Sequence, residues 1–318
     1  MRALVLCLAA CSSKPFVPDA PRYDMAIQNI VEDELQHAID DWRPDVAFAI
    51  VLHDSDIIAV AGWEQGKTDA TIPLSRPYVT GSTLKAFTIG IALDADAVKI
   101  TDVFDCRPRA YADGELRDAE THDDMLSVTD ILVTSSNVGA SRIEDHLGLD
   151  KLQAGLRRFH FGTPPAPFPD PIIPGHEEGL FAAGELYAAT PLQVARAYEA
   201  LFRDGYYEGP DGRGEALTRE TAKLVQDMLA ESVRSGTGEK AKVRGHKVIG
   251  KTGTAVILDK IYASFVGEIT GRDGRPETIL VGLYGARKAT GPTAAAPLFA
   301  RIAARIAKLE KRSESDED

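Results

Sequence analysis

Three short motifs in this 318-residue chain hold residue types that can do nucleophilic chemistry. Ser82-Thr83-Leu84-Lys85 follows Gly81 and opens an apolar run with helical spacing. On a helix, residue i+3 stands one turn above residue i, so the Lys85 amine can reach the Ser82 hydroxyl. A serine hydroxyl is a weak nucleophile until a neighbouring base takes its proton. To be that base Lys85 must be neutral, a state favoured by burial, by the positive end of a helix and by a second cation nearby. Ser135-Ser136-Asn137 adds a further hydroxyl and one of only two asparagines in the chain. Lys251-Thr252-Gly253, followed by Thr254, supplies the second cation with hydroxyls on either side of a glycine. A side chain at 253 would block a substrate backbone lying along a strand there, which gives Gly253 a reason. Each motif alone is weak; all three in this order form a strong signal.

The combination resembles the transpeptidase domain of class B penicillin-binding proteins, within the serine β-lactamase and penicillin-recognising superfamily. The resemblance takes in Gly81 to Thr88, Leu132 to Gly139, Phe159 to Gly162, Ala189 to Gln193, Gly236 to Ala241, Val248 to Ala255, Ser264 to Gly267 and Ala296 to Phe299. It implies a D,D-transpeptidase in which a peptidoglycan stem peptide acylates Ser82, D-alanine leaves, and an amine of a second strand takes the acyl group. β-Lactams would be covalent inhibitors and a cell-wall polymerase a partner; no cofactor and no metal is implied. By the same resemblance Ser135 relays a proton towards the leaving amine, and Asn137 holds Lys85 and the substrate amide. Lys251, Thr252 and Thr254 would hold the terminal carboxylate, and the backbone amides of Ser82 and Thr254 would meet the oxyanion.

Departures from the family pattern bear on this reading. Ser136 stands where related sets have Asp. In Gly184-Glu185-Leu186, ahead of Thr190-Pro191-Leu192-Gln193, Leu186 replaces a second glycine. Class B members usually carry a membrane helix and a pedestal domain, whereas here the first patterned helix follows soon after Cys11; a specialised or accessory enzyme is the expectation. A D,D-carboxypeptidase or endopeptidase would use the same acylation half. A β-lactamase needs a base that activates water, and no Glu-x-x-Leu-Asn precedes Lys251. A β-lactam sensor or a non-catalytic binding module is the non-enzymatic alternative, against which the intact motifs speak.

The elements that must position these residues follow from periodicity. Met25–Trp42 is apolar at helical spacing, and Val46–Leu52 and Ile57–Trp63 read as a strand hairpin. Helical patterns recur over Thr83–Leu93, Val128–Leu132, Val138–Leu147, Leu152–Phe159, Pro191–Phe202 and Ala222–Val233. Six prolines between Pro164 and Pro174 exclude helix there and mark a rigid loop. His246–Gly250, Ala263–Ile269 and Ile279–Tyr284 read as strands, and Pro297–Leu309 as a closing helix. The expected fold is α+β: a five-stranded, mostly antiparallel sheet built from both ends of the chain and flanked by helices, with an inserted, mainly helical lobe.

Composition sets the outer bounds. With 48 acidic and 36 basic residues and a formal charge of −12, long-range attraction to nucleic acid or anionic lipid is excluded as a binding principle. Met1 and Arg2 lead into the apolar Ala3–Ala10, and Leu8-Ala9-Ala10-Cys11 resembles a lipobox. The expected organisation is a signal peptide over 1–10, a lipidated Cys11 opening a proline-rich tether over 11–23, a transpeptidase domain over 24–309 and a charged tail over 310–318. Such a protein would face the periplasm and touch the membrane only through its lipid. Cys106 reads as a buried apolar residue and not as a nucleophile. The seven histidines show no metal spacing, with His53, His122 and His176 in expected turns, and Glu177-Glu178 reads as a solvated loop pair.

Overall fold

A computed structural model describes residues 23–315, except 113, 170, 171, 173, 174 and 271–275. The expected leader, Cys11 and all but the last residue of the tether lie outside the described residues. Strand β1 (Val46–His53) pairs antiparallel with β2 (Asp56–Glu64) on one edge. The two-residue β3 (Lys67–Thr68) extends that edge. From the end of the chain come β4 (Ile249–Ile257), β5 (Lys260–Thr270) and β6 (Pro276–Tyr284). The order across the sheet is β4-β5-β6-β1-β2-β3, with every pair antiparallel. β1 therefore joins the two ends of the chain at the sheet centre, in the register Val46↔Tyr284 and Ile50↔Leu280. The sixth strand went unread because two polar residues carry no alternating pattern.

Both faces of this sheet are covered, which is why Val46–Leu52 is apolar without interruption. Ala47, Ala49 and Val51 face a layer made by α1 (Met25–Trp42) and α9 (Ala296–Ser315), with Val31, Leu298, Phe299 and Ile302 among the buried side chains. Phe48, Ile50 and Leu52 face the helical lobe. α1 is fastened to β2 by Gln28, whose amide donates to the Val60 carbonyl at 3.0 Å and accepts from the Val60 amide at 2.9 Å. α9 is fastened to α1 by Arg301 and Arg305, which donate to Glu34 at 2.8 and 3.1 Å. The backbone of α9 continues to Ser315, past the end expected at Leu309.

The lobe is built on α2 (Lys85–Asp94), a helix that is apolar nearly all round and buried along its length. Phe87 makes edge-on contacts with Phe159, Phe161 and Tyr198 at 4.9 to 5.0 Å between ring centres. Around α2 lie α3 (Val128–Thr134), α4 (Asn137–Leu147), α5 (Leu149–Arg158), α6 (His176–Ala183), α7 (Pro191–Phe202) and α8 (Arg219–Ser235). α6 escaped the pattern reading because prolines precede it and Gly179 interrupts it; a Cβ at Gly179 would stand 2.9 Å from the Ser141 hydroxyl. His176 thus opens a helix instead of lying in a turn, and Glu178 accepts from the Gly175 amide at 3.0 Å.

β4 begins at Ile249, not His246, and runs on through the Lys251-Thr252-Gly253 motif to Ile257. Its polar residues line a cleft between sheet and lobe, so the apolar run ended before the strand did. Leu258 and Asp259, both at positive φ, turn the chain tightly into β5.

Candidate active site

Ser82 lies in a single 3-10 turn, Gly81–Leu84, that leads into α2, and Lys85 is the first residue of the helix. The Tyr198 hydroxyl donates to the Thr83 carbonyl at 2.7 Å, and the Thr83 hydroxyl donates to the Thr80 carbonyl at 2.7 Å, pinning the turn to the lobe. β4 closes on the turn from the sheet side: a Cβ on Gly81 would lie 3.0 Å from the Thr254 carbonyl oxygen. A Cβ on Gly253 would stand 2.3 Å from the Ser264 hydroxyl and 3.0 Å from the Thr83 methyl. β5 and the nucleophile turn thus approach Gly253 too closely for a side chain there.

The structure brings all the motif side chains together. Lys85 Nζ lies 2.9 Å from Ser82 Oγ, 2.5 Å from the Ser135 carbonyl oxygen, 2.5 Å from Asn137 Oδ1 and 3.3 Å from Ser135 Oγ. Ser135 ends α3 in the left-handed region, φ 65° and ψ 37°, an uncommon state for a residue with a side chain. That turn aims both its carbonyl and its hydroxyl at Lys85. Lys251 Nζ approaches from β4 and donates to the same Ser135 hydroxyl at 2.9 Å. Thr252 shares a hydrogen bond with the Thr237 hydroxyl at 2.7 Å, and Thr254 Oγ1 accepts from the Gly291 amide at 2.9 Å.

Electrostatics follow from burial. Lys85 and Lys251 have no exposed surface. Burial lowers the Lys85 ammonium to about 8, although Glu185 and Asp118 pull it upward. Lys251 is held well below its ordinary value, by burial first and then by the charge of Lys85. The two amines share the Ser135 hydroxyl, and each is held below the ordinary lysine value. The coupling expected between the lysines thus falls mainly on Lys251, while at Lys85 burial does the lowering.

Three groups around the site were not found from the sequence. Thr237 lies in a segment that resembles the family but showed no spacing signal. Asp118 sits behind the second motif, where Oδ2 accepts from the Ser136 hydroxyl at 2.6 Å and from His122 Nε2 at 2.7 Å. Oδ1 accepts from the amides of Asn137 and Val138, the latter at 3.0 Å. It satisfies the free amides that open α4, and the Arg117 carbonyl accepts from Asn137 Nδ2 at 3.2 Å, which turns Oδ1 towards Lys85. Glu185, which stands beside a missing glycine in the sequence, is the third; its negative charge favours a protonated Lys85. Cys106 is buried, with its thiol pushed up to about 11 by that burial, as suits an apolar filler.

A lysine base, a serine, a bridging hydroxyl and a second lysine around one cleft can activate Ser82 and deliver its proton onward. The family profile described as penicillin binding protein transpeptidase domain matches residues 49–304. The chain belongs to this family. Among relatives of the transpeptidase-domain family, it is 27% identical over 271 residues to the probable peptidoglycan D,D-transpeptidase FtsI of Caulobacter vibrioides, covering 74% of this chain and 46% of that protein. It is 25% identical over 335 residues to stage V sporulation protein D of Bacillus subtilis, covering 88% of this chain and 52% of that one. The chain thus spans about half the length of the curated relatives it matches. Its fold is similar to the transpeptidase domain of penicillin-binding protein 3 from Burkholderia pseudomallei, with TM-score 0.79, 22% identity, and coverage of 92% of this chain and 96% of that one. A peptidoglycan glycosyltransferase from Burkholderia ambifaria gives TM-score 0.80 at 23% identity, covering 92% and 98%.

The Asp118 cluster generates a prediction. Burial lowers the His122 imidazolium, but the Asp123 carbonyl and the Asp118 carboxylate outweigh it and raise the pKa above the ordinary histidine value. A raised pKa stabilises the fold fully below the unfolded value of about 6.5, and that contribution is lost as pH rises through the folded value. Asp118→Ala should cost about 1–3 kcal/mol, the penalty for leaving buried donors unpaired, and should flatten this pH dependence. Denaturant unfolding at several pH values checks both, and a variant as stable as the parent with the same slope would contradict the role given to Asp118.

Proposed function

We propose that this chain is a D,D-transpeptidase that cross-links peptidoglycan stem peptides through an acyl-enzyme on Ser82. The observation that carries the reading is the contact of the buried Lys85 amine with Ser82 Oγ at 2.9 Å. As an ammonium, Lys85 has three N–H groups, directed to the Ser135 carbonyl, Asn137 Oδ1 and Ser82 Oγ. Loss of the proton on the third leaves a lone pair facing the Ser82 hydroxyl. The substrate supplies the reason to lose it: a terminal carboxylate arriving beside Lys251, Thr252 and Thr254 stabilises a charged Lys251. The proton of the pair then passes from Lys85 through the Ser135 hydroxyl to Lys251.

Acylation follows. Ser82 Oγ gives its proton to Lys85 and bonds to the penultimate D-alanyl carbonyl carbon, while the amides of Ser82 and Thr254 serve the oxyanion. As the intermediate collapses, the C–N bond breaks and the leaving amine takes its proton from Lys85 by way of Ser135. Asn137 holds Lys85 in line and offers its amide to the substrate. In a β-lactam the leaving amine stays tethered to the acyl group and obstructs the next nucleophile, so that adduct should last many minutes.

Benzylpenicillin followed by intact-mass measurement tests this. The parent should gain one adduct, mapped to Ser82, and Ser82→Ala should gain none. Lys85→Ala should acylate about 10² to 10⁴ times more slowly, the usual effect of losing a general base. No adduct on the parent, or an adduct on another residue, would overturn the reading.

We also propose that residues 24–309 act as the transpeptidase domain of an envelope lipoprotein facing the periplasm, with residues 11–23 as its tether. Leu8-Ala9-Ala10-Cys11 supports the lipid attachment. A diacylglyceryl group with an amide-linked chain gives more than one anchor, enough for stable attachment. Mass spectrometry of membrane fractions should find a mature chain beginning at an acylated Cys11; a cytoplasmic product beginning at Met1 would contradict it.

A further inference from the structure

The second half of the reaction needs a base that the motifs do not supply. When the leaving group departs with its carboxylate, Lys251 loses its counter-charge and the shared proton returns through Ser135 to Lys85. Lys85 in the acyl-enzyme is then an ammonium. It can give a proton to the departing Ser82 oxygen, but it cannot take one from the incoming nucleophile.

One carboxylate, that of Glu185, is carried on a segment that packs directly against the nucleophile turn. The segment 184–189 runs beside the strand that leads to Ser82. The Gly184 carbonyl accepts from the Gly81 amide at 2.9 Å and from the Thr80 hydroxyl at 3.2 Å. The Tyr187 carbonyl accepts from the Thr80 amide at 2.8 Å, and Val79 pairs with Ala188. The fit is tight: a Cβ on Gly184, at φ +86°, would lie 2.0 Å from the Gly81 carbonyl oxygen. The Glu185 amide is tied back to the Leu180 carbonyl at 2.8 Å, and Leu186 packs against the lobe core. Glu185 is thereby held beside the nucleophile turn, half-buried.

Its carboxylate makes no hydrogen bond or ion pair with a described residue, and Lys85 is the one charged group that acts on it. Lys85 in turn feels Asp118 from behind the second motif and has Lys251 beside it across Ser135. A half-buried carboxylate with no structural partner, on a segment seated against the nucleophile turn, contributes no bond that holds the fold. Burial raises its pKa, against the pull of Lys85, which makes it a stronger base than an exposed glutamate.

We propose that Glu185 is the general base of the second half-reaction, taking the proton of the nucleophile that attacks the Ser82 ester. The proposal rests on the acyl-enzyme reading above. The nucleophile's N–H or O–H proton goes to Glu185 as its lone pair bonds to the acyl carbon. The ester C–O bond then breaks, the Ser82 oxygen takes a proton from Lys85, and the Glu185 carboxylic acid returns its proton to Lys85. Atoms and charge balance, with free Ser82 and the transferred acyl group as products. An amine gives a cross-link and water gives hydrolysis, and the base is the same for both.

The test uses the full chain and an N-acyl-D-alanyl thioester of mercaptoacetate, whose leaving group departs with its carboxylate, with and without a D-amino acid as acceptor. The thiol burst reports acylation and the steady state reports the second half. Glu185→Gln should slow the steady state by about 10² or more, the range for a lost general base, and change the burst rate much less, the remaining effect there being the loss of its pull on Lys85. In the parent the steady state should rise with pH as Glu185 ionises, and Glu185→Gln should lack that rise. Glu185→Asp should recover part of the rate. An unchanged steady state, equal slowing of both phases, or an Asp variant no faster than Gln would overturn the proposal while leaving Ser82 as nucleophile. Absence of any burst in the parent would overturn the acyl-enzyme reading and this proposal together.

Discussion

Everything at this site depends on keeping water from the two lysine amines. An ammonium loses its hydration on burial, and the cost falls on the charged form. Lys85 and Lys251 are wholly enclosed and converge on the single hydroxyl of Ser135, 3.3 and 2.9 Å away. Two charges so placed would repel each other without solvent to screen them, so the pair holds one proton. In the proposed reaction, a mobile proton between two amines would let one lysine serve as base while the other meets a carboxylate.

The fold can be read as the means of enclosing that pair. β1 joins strands from both ends of the chain, so that the Lys251 strand lies in the same sheet as the hairpin that precedes the Ser82 turn. The lobe inserted between them supplies α2 with Lys85 and the α3–α4 turn with Ser135. Glycines at 81 and 184 let backbone reach backbone where those parts meet, and Gly253 leaves room for the Ser264 and Thr83 side chains, since a Cβ at each would contact the facing segment at 3.0 Å or less. Aromatic packing around Phe87 and the Tyr198 bond to Thr83 fix the helix that carries the base.

Much of this was legible from residue types alone. The motifs that hold Ser82, Lys85, Ser135, Asn137 and Lys251 stood out by residue type and order, and the structure brings these side chains together; Pro191–Phe202 matches its observed bounds because Thr190 caps it and Pro191 opens it. What escaped has physical causes. β4 hides in polar residues because its motif faces a cleft, and β3 is too short for a period. Asp118 and His122 lie in an acidic, irregular stretch where nothing local marks a carboxylate that serves a helix twenty residues away. Glu185 stands out in the sequence only as a neighbour of a missing glycine, because its seat beside the nucleophile turn is set by contacts with residues about a hundred positions earlier.

The claim that the buried lysines share one proton is most directly tested by the pH dependence of the second-order rate at which a carboxylate-bearing substrate acylates Ser82, a rate that reports ionisations of the free enzyme. If the singly protonated pair is the reactive form, the rate should hold near neutrality and fall as pH rises through about 8, where Lys85 gives up the last proton. A rate that keeps rising through that region towards the ordinary lysine value of about 10.4 would contradict the account, because it would mean a permanently charged Lys251 beside an independently titrating base.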